Sequence, residues 1–373
     1  GADGLPARAA PELDRALANW DRATAALADE PDLRDHIRLA SAMLRGLPAI
    51  LAGTAPATQF MFPEGRFDLV NGVYHGNSVA DFFNDLLADA VVSAVQARIA
   101  DDPSVQLRLV EVGAGTGGTA RVLFRRLAPY AANIAEYRFT DLSKAFLITA
   151  RQNFLKDAPY LQTEIFDVSK SPQDQGFAIG SYDIAVATNV LHATRDIVQS
   201  LTHTKALLRQ NGLLLVNELI CKSLFSHLTF GLLDGWWAYD DSAMRLPGTP
   251  ALASDRWRTV LSLVGFRPVA RLCPEAEVLT QQVFIGQSDG VIAATVPPAL
   301  PAATPKIKPP LPEPIAAAAV VSVPQIQLNA HLRQRIAKAI EVDANRIDDD
   351  APFERYGVDS ILVLQIVDVL RPD

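Results

Sequence analysis

One stretch constrains the rest of the chain: Leu107 to Val112, followed by Gly113-Ala114-Gly115-Thr116-Gly117-Gly118-Thr119. The first six residues read as a buried strand with Arg108 inside it, glycines follow at once, and Ala120 to Leu127 has helical spacing. A strand that turns through glycines into a helix start offers free N–H groups and lets backbone approach a ligand closely. Gly113, Gly115 and Gly118 satisfy G-x-G-x-x-G, the dinucleotide pattern. Glu111 argues otherwise, because an acid just ahead of the first glycine crowds a pyrophosphate but can meet a cationic amino group. A glycine turn that binds nothing is the third reading.

Between residues 105 and 287 strand and helix patterns alternate, with strand candidates at Gln106–Val112, Glu136–Thr140, Thr163–Phe166, Tyr182–Ala187, Leu213–Glu218, Gly265–Arg271 and Gln282–Gly286. This predicts an α/β fold with a parallel, doubly wound sheet, whose ligands lie beyond the carboxyl ends of the strands. Asp141, ending the second strand, can accept from both ribose hydroxyls of a nucleoside. After the third, Asp167 can accept from an exocyclic amine while Val168 packs on the ring. The fourth ends at Thr188-Asn189-Val190-Leu191-His192 and the fifth at Asn217-Glu218. Any one such residue is ordinarily a cap or turn; five polar strand ends in a row are hard to explain by packing. If strands four and five are neighbours, Glu218 on one ring nitrogen of His192 leaves the other as a base, although a lone histidine after a strand is more often structural.

Upstream, residues 11 to 52 have helical spacing and suit a cap packed on the next domain. Tyr74-His75-Gly76-Asn77 precedes a helical pattern from Val79 to Ile99 and can line a pocket, but a turn with a core tyrosine explains it too. Downstream, Phe225 to Trp237 suits a pocket wall or a buried aromatic cluster, and Arg245-Leu246-Pro247-Gly248 reads as a loop. Nine prolines between Pro297 and Pro324 mark a linker, extended and partly polyproline II. Leu332, Ile336 and Ile340 then make an amphipathic helix, and Gly357-Val358-Asp359-Ser360-Ile361 opens an apolar stripe, with Asp359 or Ser360 as a helix N-cap.

A net charge of −8 without a basic run argues against nucleic-acid binding. Two cysteines are too few for a disulfide framework or a cysteine-built zinc site. No 18-residue apolar run suggests a membrane span, and the first residues lack a signal-peptide layout, so a cytoplasmic setting is expected.

The E-x-G-x-G-x-G arrangement at Glu111, Gly113, Gly115 and Gly117 resembles the first motif of class I S-adenosylmethionine (SAM) methyltransferases. Over roughly residues 35 to 287 the chain is similar to C-methyltransferase domains of modular polyketide synthases, particularly the trans-acyltransferase kind. The resemblance rests on F-P-E-G, Y-H-G-N, E-V-G-A-G-T-G-G-T, T-D-L-S-K-A-F, A-T-N-V-L-H-A-T, N-G-L-L-L-V-N-E and H-L-T-F-G-L-L-D-G-W-W with R-L-P-G. It implies a Rossmann-like, seven-stranded methyltransferase fold, with residues 1–100 a helical lid, 101–287 the SAM-binding core, 288–326 the linker and 327–373 a partial acyl carrier protein. SAM would be held by Glu111, Gly113, Gly115, Gly117, Asp141, Leu142, Asp167, Val168 and Asn189. A His–Glu dyad falls on His192 and Glu218, an active-site tyrosine on Tyr74, and Asn77 joins it in holding an enolate oxygen.

The tail resembles an acyl carrier protein of the polyketide type, with Ser360 where that family carries 4′-phosphopantetheine. Only thirteen residues follow Ser360, short of a carrier's last loop and helix. The implied reaction is C-methylation, without a metal, at the α-carbon of a β-ketoacyl thioester on this or a partner carrier, within a synthase module. Two other outcomes stand beside it: O-methylation of a β-hydroxyacyl or enol intermediate, and an inactive scaffold that docks carriers. An NAD-dependent reductase is a further possibility.

Overall fold

The computed structural model describes residues 9–291, 325–348, 351 and 353–370. The region expected to be helical from 11 to 52 is two helices, α1 (Ala9–Thr24) and α2 (Pro31–Leu51). The break falls where Pro31 starts α2, because a residue before proline is driven to an extended backbone, as Glu30 is. Short helices α3 (Ala57–Met61) and α4 (Asp68–Tyr74) follow, then the long α5 (Ser78–Asp101). Phe83, Leu87, Val91 and Val95 of α5 recur every fourth residue and are fully buried. Each such burial is worth roughly 1.5–3 kcal/mol.

The seven strands are β1 (Leu107–Val112), β2 (Ile134–Asp141), β3 (Leu161–Ile165), β4 (Tyr182–Thr188), β5 (Leu208–Leu219), β6 (Phe266–Leu272) and β7 (Gln281–Ser288). They form one sheet in the order β3-β2-β1-β4-β5-β7-β6. β1 to β5 pair in parallel, whereas β7 lies antiparallel between β5 and β6. The expected parallel sheet is therefore mixed at one edge. This is the class I SAM-dependent methyltransferase fold.

Both faces of the sheet are covered. Leu107 and Leu109 of β1 pack with α5, α6 (Gly118–Leu127) and α7 (Lys144–Phe154), while Val110 and Val112 pack with α8 (Ile197–Leu207) on the other side. Burial on two faces is why β1 reads as an apolar run rather than an alternation. A short helix α9 (Leu224–Leu228) and α10 (Ser254–Leu263) complete this part, with Trp257 of α10 fully buried.

The second face of α7, through Ala145 and Ile148, joins a third core made by Leu39, Met43, Met61, Phe62 and Phe67. The tail helices α11 (Gln325–Ala339) and α12 (Ser360–Leu370) pack on that core, where Ile340 and Leu362 are fully buried. Gln365 donates to the Gly65 carbonyl at 2.9 Å, and Lys144 donates to the Tyr356 carbonyl at 3.0 Å. Asp359 caps α12, accepting from the N–H groups of Ile361 and Leu362, and Ser360 is exposed. The proline-rich segment 292–324 lies outside the described residues. Among the described residues, no helix is long and apolar enough to cross a membrane.

Candidate active site

The parallel strands bring their carboxyl ends to one edge of the sheet, and the glycine turn closes over it. Gly113 is left-handed (φ 63°), and a Cβ there would drive into the Val190 side chain. Gly115 is also left-handed (φ 54°), yet a Cβ there would meet nothing within 4 Å. Its conformation demands glycine, and open space lies in front of it. Gly117 caps α6 in the left-handed region (φ 79°).

Asp141 accepts the Gly115 N–H at 2.9 Å through one oxygen and the Ser143 N–H at 2.9 Å through the other. Burial pushes its pKa up to about 6. Leu142 beside it is 63% exposed, a large apolar side chain facing out at a strand end. Asp167 accepts the Ser169 N–H at 3.0 Å and pairs with Lys170 at 3.0 Å. Val168 is buried, and its carbonyl is 2.8 Å from Nδ1 of His203. Asn189 has a left-handed backbone (φ 50°) and donates to Gln281 at 3.0 Å. Thr116 Oγ1, Ser143 Oγ and Asn189 Oδ1 are buried polar atoms with no hydrogen-bond partner among the described residues. Two hydroxyls that can donate or accept and one amide oxygen that accepts are thus left without partners near the turn, which fits a polar ligand, since buried polar groups are ordinarily satisfied.

Glu111 departs from the expectation of direct contact with an amino group. It is 1% exposed, and the Tyr137 hydroxyl donates to it at 2.6 Å. Almost none of the carboxyl is open to the cleft. Burial, with the charge of nearby Asp141, raises its pKa to about 8. Its backbone carbonyl accepts from Thr140 Oγ1 at 2.7 Å, which ties the end of β1 to β2.

His192 sits in the turn after β4, and Glu218 near the end of β5 faces it. Nδ1 of His192 is 2.6 Å from Oε2 of Glu218, the two residues being 4% and 0% exposed. The other carboxylate oxygen accepts the N–H groups of Val190 (3.0 Å), Leu191 (2.7 Å) and His192 (3.3 Å). A carboxylate acceptor assigns the proton to Nδ1, so Nε2 carries the lone pair. Tyr74, at the end of α4, is held through its carbonyl by Asn84 Nδ2 at 2.9 Å. Burial and the nearby Glu218 charge push its phenol pKa well above the ordinary value, so it stays a donor. Tyr74, His192 and Glu218, three of the four residues expected at the reacting centre, thus share one electrostatic neighbourhood.

Asn77 is a correction. Its Oδ1 accepts the Ala80 N–H at 2.9 Å, and its Nδ2 donates to the carbonyls of Gly72 (2.9 Å) and Val73 (3.3 Å). The side chain is taken up in capping α5 and closing α4, and is not available to an enolate.

Two neighbours of His192 lie outside the expected site residues: Trp236, from the stretch expected as a pocket wall or aromatic cluster, and Arg245, from the stretch expected as a loop. The Trp236 ring lies 5.4 Å from the imidazole at 74°, and its buried Nε1 has no partner among the described residues. Arg245 donates to the His192 carbonyl at 2.7 Å. The signal available for Arg245 was an acid four residues earlier, Asp241, which it grips at 2.6 Å.

A methyltransferase-domain family model matches residues 110–214, and a phosphopantetheine attachment-site model matches residues 330–372. Polyketide synthase PksM of Bacillus subtilis is 38% identical over 98% of this chain, which spans 9% of that protein. The chain therefore corresponds to a small fraction of the length of such relatives. The crystal structure of the DszA carbon methyltransferase superimposes with a TM-score of 0.68 at 35% identity, over 73% of this chain and 70% of that one. The trans-methyltransferase CalH, solved in complex with SAH, gives 0.59 at 25% identity, over 74% and 72%.

Proposed function

The chain belongs to the carbon-methyltransferase domains of polyketide synthases, and from that premise we propose that it methylates the α-carbon of a β-ketoacyl thioester carried on an acyl carrier protein, with SAM as methyl donor. The observation that carries this reading is the enclosed His192–Glu218 pair, beside the glycine turn and within the electrostatic reach of Tyr74.

The residues present fit the cofactor. Gly113, Gly115 and Gly117 shape a turn that opens in front of Gly115, with the orphaned Thr116 hydroxyl beside it. Asp141 stands where a ribose diol would be held. Leu142, Asp167, Val168 and Asn189 would surround the base. Glu111 supports the turn from beneath. SAM when bound supplies an electrophilic methyl group on sulfur.

The chain's own groups supply the rest. The α-hydrogens of a β-ketoacyl thioester are acidic because two carbonyls flank them. Nε2 of His192 takes one as general base, and the charge that appears on the ring is met by Glu218 at Nδ1. The Tyr74 phenol donates to the enolate oxygen. The α-carbon would then take the methyl group as the sulfur–methyl bond of SAM breaks, giving an α-methyl thioester and S-adenosylhomocysteine, and His192 would return its proton to solvent.

The tail reads as a partial carrier with Ser360 as the phosphopantetheine-bearing serine, and the natural donor of the acyl chain is this or a partner carrier. The test is intact-mass spectrometry of an acetoacetyl-loaded carrier with SAM, this chain and its His192→Ala variant. One added methylene unit, located by fragmentation on the α-carbon and absent with the variant, is the expected result. Addition only to a 3-hydroxybutyryl carrier, with the methyl on oxygen, would replace this reading by O-methylation.

A further inference from the structure

We propose that Arg245 is a positioning residue for His192, acting through the backbone of the turn that carries it; this rests on His192 being the base. The Arg245 side chain is wholly buried. Nη1 donates to the carbonyls of His192 (2.7 Å) and Pro250 (2.9 Å), and Nη2 donates to the Thr194 carbonyl (3.0 Å) and to Asp241 Oδ2 (2.9 Å). Nε donates to Asp241 Oδ1 at 2.6 Å. All five donors of the guanidinium are satisfied.

The acceptors are not scattered. Two are carbonyls of the turn after β4, one of them His192 itself. Asp241 extends the grip, because its Oδ2 also accepts the Ile197 N–H at 2.8 Å, at the first residue of α8. Glu218 meanwhile accepts the amides of Val190, Leu191 and His192. The turn is therefore held on its N–H side by the residue that orients the imidazole, and on its C=O side by Arg245. A buried cation is costly unless fully bonded. Here it is fully bonded, with two of the five bonds going to the short segment bearing the base. A lysine cannot reproduce the planar fork.

The segment that carries Arg245 also connects the base to the pocket wall. Arg245 follows Trp236 by nine positions, and the intervening Asp240 N–H donates to the Arg195 carbonyl at 2.8 Å. The segment that places Trp236 against His192 is thereby stitched to the turn that places His192.

The experiment compares Arg245→Lys and the double variant Arg245→Gln/Asp241→Asn, which leaves no unpaired buried charge, with the parent chain and His192→Ala. Three quantities are read: the catalysed exchange of α-protons of an acetoacetyl carrier into D2O without SAM, kcat and KM for methyl transfer, and SAH affinity by calorimetry. The expected result is a fall in exchange and kcat on the order of 100-fold, as a small misplacement of a reacting group produces. The KM for SAM and the SAH affinity should stay within about threefold, since none of the Arg245 partners belongs to the cofactor turn. Parental exchange rates in both variants, with His192→Ala inactive, would overturn the Arg245 proposal alone. Parental exchange in His192→Ala would overturn the base assignment and this proposal with it. Loss of SAH binding in step with exchange would make Arg245 a general structural residue and likewise overturn it.

Discussion

The Glu218 carboxylate takes Nδ1 of His192 at 2.6 Å with one oxygen and the His192 amide at 3.3 Å with the other. One side chain therefore sets both the ring and the backbone of the proposed base. Glu218→Gln should lower kcat by about 10²–10⁴, because an amide can no longer balance an imidazolium. Single-turnover methylation at saturating SAM measures this, with SAH affinity close to the parent value. Tyr74→Phe should cost less, about 10-fold to 100-fold, as the loss of one enolate donor.

Glu111 gives a pH signature in stability. Its folded pKa of about 8 lies above the ordinary 4.5. Between those values the unfolded chain releases this proton and the folded chain keeps it. Stability from this group is thus fully present at low pH and declines as pH rises through the window, by up to a few kcal/mol. Glu111→Gln has no such proton, and its amide oxygen can still accept from Tyr137. Its melting temperature relative to the parent should therefore improve from about pH 5 to about pH 8. A difference that stays flat across that range would show that Glu111 is already ionised in the folded chain.

Gly113 and Gly115 should separate stability from binding. Gly113→Ala puts a methyl into Val190 on a left-handed backbone, and should cost about 2–5 kcal/mol by chemical denaturation. Trimming its neighbour in Val190→Ala should recover part of that. Gly115→Ala meets open space and should cost only about 1–2 kcal/mol from its φ. It should nevertheless lose SAH binding in calorimetry, because its methyl would enter the space in front of the turn.

Asn77 should behave as a cap. Asn77→Ala removes the acceptor for the Ala80 N–H and should cost about 1 kcal/mol, read as a lower melting temperature. Asn77→Ser retains a capping oxygen and should recover most of that loss. Methylation rates at a temperature where both variants are folded should stay within a few-fold of the parent.

β1, β4 and the second half of β5 were legible because they are buried on both faces and read as apolar runs, whereas β2 and β3 carry polar residues and β3 buries only Leu161. β5 begins at Leu208, earlier than expected, since Arg209, Gln210 and Asn211 give its start no apolar signature. The antiparallel insertion of β7 between β5 and β6 is a long-range pairing that no local pattern encodes. Asp141, His192 and Glu218 stood out because strand ends in a doubly wound sheet converge. Asn77 was misjudged because a cap and a pocket residue look alike until the helix start is placed. Arg245 reads from sequence only as part of a loop, because three of its acceptors are backbone carbonyls, which carry no residue identity.

Tyr74 ends α4, outside the sheet, whereas the turn, Asp141, His192 and Glu218 all belong to strand ends. The phenol is thus supplied from outside the block of strand ends, and its backbone rests against Gly118 at the start of α6. A change confined to α4 can therefore move the Tyr74 hydroxyl while the turn, Asp141, His192 and Glu218 keep their places.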